Sequence, residues 1–469
     1  MSDLEFAKHL YNEYEDYLER SLTIRRFKHS DILQLINKIK NKDKFKIKKA
    51  GLSSQGREIY LISFGAGKTK VFLWSQMHGD EATATMAIFD VLNFLSSQNK
   101  HDEIRKEFEQ KLTIYFMPMV NPDGAELFQR RNIFGIDINR DALRLQSDEA
   151  KLLMKIFKKL KADFGFNLHD QSNQYSAGNS SKPAALSFLA PATDEKRKMT
   201  AERNNAAKLI AKLFKLISCF IPGHIAKYSD EFEPRAFGDN FQKLGTSTIL
   251  IESGGWKDDT EKQFIRRLNF VTLLCAFKSI AEKSYLKEKI QTYDSIPFNQ
   301  ELMRDIVFRN LIYYVDGKKC LVDIAVTLNE INTKDAKNFY YKSVIDDIGD
   351  LSTLRGYNDY NFRGLTVEYG KTYRERIFAV EELKDLNFTE MYRNGFTSIV
   401  VQNCESREYN QFPINIVKKD CGENEENIKI DSPANLIFRK NNVVKFVVVN
   451  GFLFNTEDSL GNIKNGIIL

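Results

Sequence analysis

The alternation of short apolar strands with longer amphipathic helices restricts the fold of this chain more than any other feature of its sequence. Residues 71–74 and 112–117 are apolar runs typical of strands, and residues 82–95 between them have the apolar spacing of a helix. Strands that are apolar along their whole length are typical of parallel sheets covered by helices on both faces. The sequence therefore predicts an α/β fold with a mixed, mainly parallel sheet and helices on both faces.

The same alternation extends over residues 45–288, which we expect to form one domain. Further strands are predicted at 46–48, 58–62, 164–166 and 248–251, and further helices at 147–160, 201–216 and 261–284. Residues 2–41 have the pattern of two amphipathic helices. We therefore expect residues 1–44 to form a helical segment that packs on the α/β domain.

The pattern changes near residues 291–299, where Asp294, Ser295, Pro297 and Asn299 give the composition of a linker. Short β-type segments dominate beyond it, at 306–308, 321–324, 365–367, 398–401, 436–438 and 443–449. We predict a separate all-β domain at 300–469, either a sandwich or a small barrel.

Composition argues against several classes of protein. The net charge is +6, from 69 basic and 63 acidic residues, and the lysine clusters at 38–49 and 151–161 are typical of solvated helix faces. No nucleic-acid-binding motif and no apolar run long enough to span a membrane are present. The start of the chain lacks the pattern of a signal peptide. The chain has five cysteines: Cys219, Cys275, Cys320, Cys404 and Cys421. None of them forms a C-x-x-C pair, which favours free thiols and a cytoplasmic location.

Ionisable or polar side chains follow the strands of the predicted parallel sheet. In an open α/β sheet, ligands bind at the carboxyl ends of the strands, so these side chains should converge on one edge. In chain order they are His78 and Glu81, then Arg130, Asp137, Asn139 and Arg140, then His169, and finally Glu252. Two histidines with a glutamate are a recognised ligand set for catalytic zinc. The sequence therefore indicates a metal site at this edge.

Taken together, these segments resemble the zinc metallocarboxypeptidase family over roughly residues 45–285. The resemblance rests on His78-x-x-Glu81, the distant His169, the Asp137-x-Asn139-Arg140 segment and the later Glu252. It implies a carboxypeptidase A-like fold, in an intracellular bacterial-type member with an added C-terminal β-rich domain. It also implies that His78, Glu81 and His169 hold one zinc ion per chain, and that a metal-activated water hydrolyses a C-terminal peptide bond.

Charge and the same resemblance give the other site residues their expected roles. Glu252 is expected to be the general base, and Arg130 to stabilise the oxyanion. Arg140, with Asn139, is expected to bind the free carboxylate of the substrate, because a guanidinium offers a carboxylate two parallel hydrogen bonds. By resemblance, Asp137 would hydrogen-bond the His78 ring and fix its tautomer.

Some assignments remain open at the level of the sequence. Tyr228 is the candidate for the tyrosine that covers the bound carboxylate in the family, but the segment 228–240 departs from the digestive-type enzymes. This segment is expected to form the wall that decides side-chain preference. Arg131 is the alternative to Arg130, and a structural ion pair with Asp137 or Asp141 is the alternative role for Arg140.

The other polar residues near these motifs are not expected to bind metal. Asp170 either supports the site or is exposed. We expect no metal binding by His9, His29, His101 or His224, and the charged stretch 99–103 around His101 is typical of a solvated loop.

Two rival functions use the same residues differently. A related zinc deacylase of N-acyl amino acids, or a murein-peptide amidase, would use the same metal ligands. A catalytically silent binding protein would act through its β domain. The expected partner is a peptide or an N-acyl amino acid with a free carboxylate, with no nucleic acid and no membrane. The sequence leaves the oligomeric state open.

Overall fold

The computed structural model describes residues 1–40, 42–404, 408–418, 427–458 and 465–469. The chain divides into two compact units, residues 1–301 and residues 302–469. This division follows directly after the predicted linker at 291–299.

The first unit is built on one large mixed sheet. Its strands are β1 (Phe45–Leu52), β2 (Glu58–Phe64), β3 (Thr69–Ser75), β4 (Leu112–Met117), β5 (Phe164–Asp170), β6 (Ser176–Ala177), β7 (Leu186–Leu189), β8 (Ile225–Lys227), β9 (Ser247–Ser253) and β10 (Asn299–Gln300). Eight of them form the sheet in the order β1-β2-β4-β3-β5-β9-β7-β8, while β6 and β10 pair separately. The central strands β4, β3, β5 and β9 run parallel to one another, so their carboxyl ends share one edge.

The helices of this unit have these bounds: α1 (Asp3–Asn12), α2 (His29–Lys40), α3 (Thr83–Ser96), α4 (Asp102–Lys111), α5 (Pro122–Glu126), α6 (Asp148–Leu160), α7 (Ala201–Ile217), α8 (Phe237–Lys243), α9 (Gln263–Glu282) and α10 (Ile290–Asp294). Three short 3-10 helices lie at Tyr14–Asp16, Ile138–Arg140 and Ser284–Lys287. Local signals explain their ends: the side chain of Ser147, for example, accepts a hydrogen bond from the N–H of Ala150 and caps α6.

Helices cover both faces of the sheet, as predicted. Leu73 and Phe116 are paired neighbours on β3 and β4 and therefore point to the same face, where Phe116 packs 6.3 Å from Phe277 of α9. The next residue along β3, Trp74, points to the opposite face and packs 5.0 Å from Phe241 of α8.

Helix α4 begins in the stretch that was predicted to be a solvated loop at 99–103, and that prediction is wrong. His101 immediately precedes α4 and is only 1% exposed. Its ring packs 6.0 Å from the ring of Phe6 in α1, a long-range contact that the charged neighbours of His101 in the sequence concealed.

A buried ion pair fastens the N-terminal segment to the sheet unit. Nη2 of Arg266 lies 2.6 Å from Oδ1 of Asp90, and both side chains are almost completely buried. Asp90 also accepts hydrogen bonds from the Tyr14 hydroxyl and from the N–H of Glu19. The guanidinium of Arg266 donates in turn to the backbone carbonyls of Glu19 and Leu22. Such a pair is stable when all of its hydrogen-bonding groups are satisfied.

The second unit is β-rich. Its strands are β11 (Met303–Val315), β12 (Lys318–Asn332), β13 (Phe339–Gly349), β14 (Arg355–Asn361), β15 (Thr366–Tyr369), β16 (Lys371–Ala379), β17 (Phe396–Asn403), β18 (Asn415–Lys418), β19 (Leu436–Lys440), β20 (Val443–Val449) and β21 (Phe452–Asn455). They form an eight-stranded sheet and a three-stranded sheet, with a short helix α11 (Phe388–Arg393) and a 3-10 helix (Val380–Asp385). The β11–β12 hairpin turns at Asp316 and Gly317, which both have positive φ, the geometry that two-residue hairpins favour.

Four of the five cysteines lie among the described residues, and none of the four forms a disulfide. Cys219, Cys275, Cys320 and Cys404 are free thiols, and Cys421 lies outside the described residues. None of the described helices combines the length and the apolarity needed to cross a bilayer.

Replacing Arg266 by methionine should strongly destabilise the first unit, because the Asp90 carboxylate would remain buried without its cation. We expect a loss of about 3–5 kcal/mol in the free energy of unfolding. Both tryptophans of the chain, Trp74 and Trp256, lie in residues 1–301, so their fluorescence in a denaturant titration reports on this unit alone.

The matched control is Arg20→Met, because the Arg20 side chain is 73% exposed and lies 3.9 Å from its ion-pair partner. We expect Arg20→Met to lower the free energy of unfolding by less than about 0.5 kcal/mol. Equal costs for the two variants would show that the buried pair does not hold the N-terminal segment.

Candidate metal centre

Two histidines and a glutamate from distant parts of the chain meet at the carboxyl edge of the sheet. Oε1 of Glu81 lies 2.7 Å from Nδ1 of His78, and Oε2 lies 2.6 Å from Nδ1 of His169. The potential ligand atoms of the three residues all lie within 4.8 Å of one another, and all three side chains are buried. The structure thus brings together the three residues that the sequence indicated as metal ligands.

The turn that carries His78 and Glu81 follows β3 closely and depends on a glycine. The N–H of Glu81 donates to the carbonyl of His78 at 3.2 Å and closes the turn. A Cβ atom on Gly79 would lie 2.1 Å from the carbonyl carbon of Gly124, which leaves no room for any side chain. Gly79 is therefore required by the close approach of a neighbouring backbone segment.

Parallel pairing places Glu252 next to His169. The two residues are paired in register on β9 and β5, so their side chains leave the same face of the sheet. Glu252 is 9% exposed. A carboxylate outside the ligand set therefore lies beside the cluster.

Hydrogen bonds from neighbouring residues orient the cluster. Nε2 of His78 lies 3.0 Å from Oδ1 of Asp137, which leaves Nδ1 of the ring facing Glu81. This is the contact that the family resemblance implied for Asp137, and such contacts fix the tautomer of a ligating histidine. On the other side, the N–H of Asp170 donates to Oε2 of Glu81 at 3.1 Å.

The charges of the cluster shift the pKa values of its members in different directions. Burial alone would lower the pKa of His78, but the carboxylates of Glu81 and Asp137 outweigh it and raise the pKa to about 9. Burial likewise disfavours the ionised Glu81, but the two imidazoles outweigh it and hold the pKa of this carboxyl well below its usual range. Burial, followed by the charge of Glu81, raises the pKa of Glu252 well above its usual value. The two glutamates thus differ in how readily each takes up a proton.

Of the two candidate arginines, Arg130 lies at the cluster and Arg131 does not. Nη1 of Arg130 lies 3.3 Å from Oε1 of Glu81, and Nη2 lies 3.0 Å from Oδ2 of Asp137. Nη1 of Arg131 instead donates to the carbonyl of Gly135 at 3.0 Å. The Arg130 side chain is 43% exposed, so its guanidinium remains accessible from solvent.

The side-chain amide of Asn139 lies between the cluster and α8. Its Nδ2 lies 3.4 Å from Nε2 of His169, and its Oδ1 accepts a hydrogen bond from the N–H of Phe237 at 2.9 Å. The amide therefore links the 3-10 helix Ile138–Arg140 to the start of α8.

Arg140 pairs with a residue that the sequence did not suggest. Its Nε lies 3.3 Å from Oε2 of Glu233, in the segment expected to form a pocket wall. Oε2 of Glu233 also lies 2.9 Å from Nη2 of Arg235. Asp141, one of the alternative partners, instead accepts hydrogen bonds from the N–H groups of Gln146 and Ser147.

Tyr228 directly follows β8 and lies within electrostatic reach of Glu252. Its ring packs 6.1 Å from the ring of Tyr175, edge to face. Burial, followed by the charge of Glu252, raises the pKa of the Tyr228 hydroxyl. No motif in the sequence pointed to Tyr175.

Sequence reasoning also missed a lysine that connects two strand ends. Nζ of Lys262 lies 3.3 Å from Oδ2 of Asp170 and donates to the carbonyl of Ser253 at 3.0 Å. Asp170 and Ser253 directly follow His169 and Glu252, so this lysine fixes the two site residues relative to each other. Its position ten residues after Glu252, outside any motif, gave no signal.

The three clustered side chains suit a zinc ion by chemistry and by spacing. Ligand atoms about 2.0–2.2 Å from one ion lie within roughly 4 Å of one another. The potential ligand atoms here all lie within 4.8 Å, so small rotations of the side chains bring them around one ion. Two imidazoles and one carboxylate are also the donor set of a catalytic zinc site, which keeps one position open.

Residues 32–214 match the family model of zinc carboxypeptidase. Carboxypeptidase 2 of Trichophyton rubrum is 27% identical over 103 residues, which cover 22% of this chain and 19% of that protein. Carboxypeptidase SOL1 of Arabidopsis thaliana is 25% identical over 103 residues, 20% of this chain and 21% of that protein. The chain thus spans about a fifth of the length of these curated relatives.

Two solved structures are also similar to part of this chain. A metallo-carboxypeptidase from Burkholderia cenocepacia has 15% sequence identity and a TM-score of 0.45, covering 55% of this chain and 70% of that chain. Bovine thrombin-activatable fibrinolysis inhibitor has 14% identity and a TM-score of 0.43, covering 56% of this chain and 97% of that chain. The residues that match this family model, 32–214, include His78, Glu81 and His169.

Proposed function

We propose that the protein is a zinc-dependent metallocarboxypeptidase that hydrolyses a C-terminal peptide bond or another amide bond next to a free carboxylate. The observation that carries this proposal is the meeting of His78, Glu81 and His169 beside Glu252. One zinc ion held by the three ligands supplies Lewis-acid chemistry, polarising the scissile carbonyl and lowering the pKa of a water to about 7. We assign the catalytic domain to residues 45–288.

Glu252 is the general base in this proposal. It takes a proton from the attacking water and passes it to the nitrogen of the leaving amine. Burial and the charge of Glu81 raise the pKa of its carboxyl, which suits a group that must accept a proton and hold it until the amine leaves.

Arg130 stabilises the negative charge that develops on the carbonyl oxygen during attack. Its guanidinium is fixed by Asp137 and by Glu81 but stays 43% exposed, so it can donate to a substrate oxygen next to the cluster. Asp137 has a positioning role, because it contacts both Arg130 and the His78 ring.

Arg140 binds the terminal carboxylate of the substrate. Its side chain is 38% exposed and already holds the carboxylate of Glu233, a group with the same shape and charge as a peptide terminus. A substrate carboxylate can displace Glu233, which keeps Arg235 as a second partner. Asn139 orients the Arg140 segment, and Tyr228 covers the bound carboxylate from the Glu252 side.

The pocket wall at 228–240 contains one buried carboxyl group, that of Asp239. Oδ1 of Asp239 accepts a hydrogen bond from the N–H of Glu233, and burial raises the pKa of Asp239 to about 7. The wall therefore presents Glu233, Arg235 and Asp239 near the arginine clamp, which favours substrates with polar over purely apolar terminal side chains.

The Glu252→Gln variant should bind zinc normally and lose most of its activity, because glutamine cannot accept the proton. We expect kcat to fall by about 10²–10⁴-fold on a panel of peptides with free C-termini. Metal analysis should find zinc in both proteins, and chelation should inactivate the wild type. Full activity in the variant would remove the mechanism. Cleavage of N-acyl-aspartate or N-acyl-glutamate without turnover of any peptide would point to the related amidases.

Arg140→Met should lower the activity only on substrates that carry a free carboxylate. We expect kcat/KM to fall by about 10–100-fold on such peptides. Peptides with amidated C-termini should be poor substrates for both proteins. Arg144→Met, at an exposed position four residues later, is the matched control and should behave as wild type. An unchanged kcat/KM in Arg140→Met would exclude the clamp.

Asp239 should make the stability of the first unit depend on pH. Its pKa is about 7 in the folded chain and about 4 when unfolded, so its stabilising effect is present below pH 4 and is lost as the pH rises through 7. Relative to Asp239→Asn, the wild type should lose stability on the order of 2–4 kcal/mol between pH 4 and pH 8. Tryptophan fluorescence in a denaturant titration at each pH measures the free energy of unfolding. The control is Asp43→Asn at an exposed turn, and a parallel pH profile for Asp239→Asn and wild type would contradict the assignment.

A further inference from the structure

A second cluster of two histidines and a glutamate lies where α1 ends and α4 begins. Nδ1 of His9 lies 3.3 Å from Oε1 of Glu13, and Nε2 of His101 lies 3.0 Å from Oε2 of Glu13. The potential ligand atoms of these three residues also lie within 4.8 Å of one another. The cluster shares no residue with the candidate metal centre, and two of its members, His9 and Glu13, precede the family match, which begins at residue 32.

We propose that His9, Glu13 and His101 form a second metal site, which takes a divalent transition ion of the zinc type. Imidazole nitrogens with one carboxylate are the donors that zinc and its neighbours in the transition series prefer. His9 and Glu13 are four residues apart at the end of α1, a spacing that places both side chains on one side of a helix. His101 completes the set from a segment almost ninety residues away.

The surroundings hold the His101 ring in position before any ion arrives. His101 is 1% exposed and packs 6.0 Å from the ring of Phe6 and 5.8 Å from the ring of Phe94. Its backbone N–H donates to Oδ1 of Asn99 at 3.0 Å. A ligand that is already immobilised loses little conformational freedom on binding. Nδ1 of His9 is buried and lies 3.3 Å from Oε1 of Glu13, yet among the described residues it has no hydrogen-bond partner, so an ion would satisfy a polar atom that has only this ion-pair contact.

A lysine competes with the ion for the same carboxylate. Nζ of Lys100 lies 2.7 Å from Oε1 of Glu13, and its side chain is 59% exposed. The entering ion displaces this ammonium group, which is free to move into solvent. Lys100 therefore lowers the affinity of the site without contributing a ligand.

The second site should bind more weakly than the first. Nε2 of His78 is fixed by Asp137, whereas Nδ1 of His101 has no hydrogen-bond partner among the described residues. Loss of such a supporting contact costs about 10–100-fold in metal affinity. An ion held here would link α1 directly to the start of α4.

The test is a calorimetric titration of the full-length, metal-free protein with Zn²⁺, followed by metal analysis. We expect two classes of site in the wild type, a tight one and a weaker one. His9→Gln, at a side chain 44% exposed, should lose the weak class and keep both the tight class and peptidase activity. Lys100→Met should strengthen the weak class by about two- to fivefold. The control is His224→Gln, which lies outside both clusters and should keep both classes.

Three results would overturn the proposal. The first is a single class of site in the wild type, and the second is a weak class that survives in His9→Gln. The third is unchanged weak binding in Lys100→Met, because that variant removes the competing cation from an exposed position and should fold normally. The readout is zinc stoichiometry, so the test stands even if no peptide substrate is found for the first site.

Discussion

The arrangement of the site depends on the contacts that the Glu81 carboxylate makes with two histidines. One of its oxygens contacts the ring of His78 and the other contacts the ring of His169, so a single side chain joins the turn after β3 to the end of β5. Because β5 pairs in register with β9, fixing His169 also fixes Glu252. Charge then separates the two glutamates, since imidazoles surround Glu81 whereas burial dominates around Glu252. One carboxylate can thus act as a ligand while its neighbour exchanges a proton.

The main features of the α/β unit could be predicted because they follow from local pattern. The strand predicted at 112–117 is β4 with the same bounds, and the helix predicted at 147–160 differs from α6 only by its capping residue. Apolar runs and helical spacing reflect burial directly, and the parallel arrangement then requires the strand ends to share an edge. The convergence of His78, Glu81 and His169 follows from that topology together with the motif order.

The features that the sequence did not reveal are pairings between distant residues. Glu233 pairs with Arg140 across about ninety residues, and no local pattern distinguishes it from the nearer Asp141. His101 has charged neighbours along the chain, so its hydropathy pattern is that of a loop, although Phe6 and Phe94 bury it. The β-rich unit shows the same limit: its strands could be recognised, but their grouping into two sheets depends on contacts between distant strands.

The buried pair of Asp90 and Arg266 has a consequence for how the domain can be divided. The family match begins at residue 32, but the groups that satisfy this pair come from Tyr14, Glu19 and Leu22. A chain shortened to residues 32–214 would keep Asp90 but lose Arg266, together with the partners contributed by these three residues. The smallest autonomous folding unit is therefore larger than the segment that matches the family model, because the N-terminal residues contribute side chains such as Phe6 and Tyr14 to its interior.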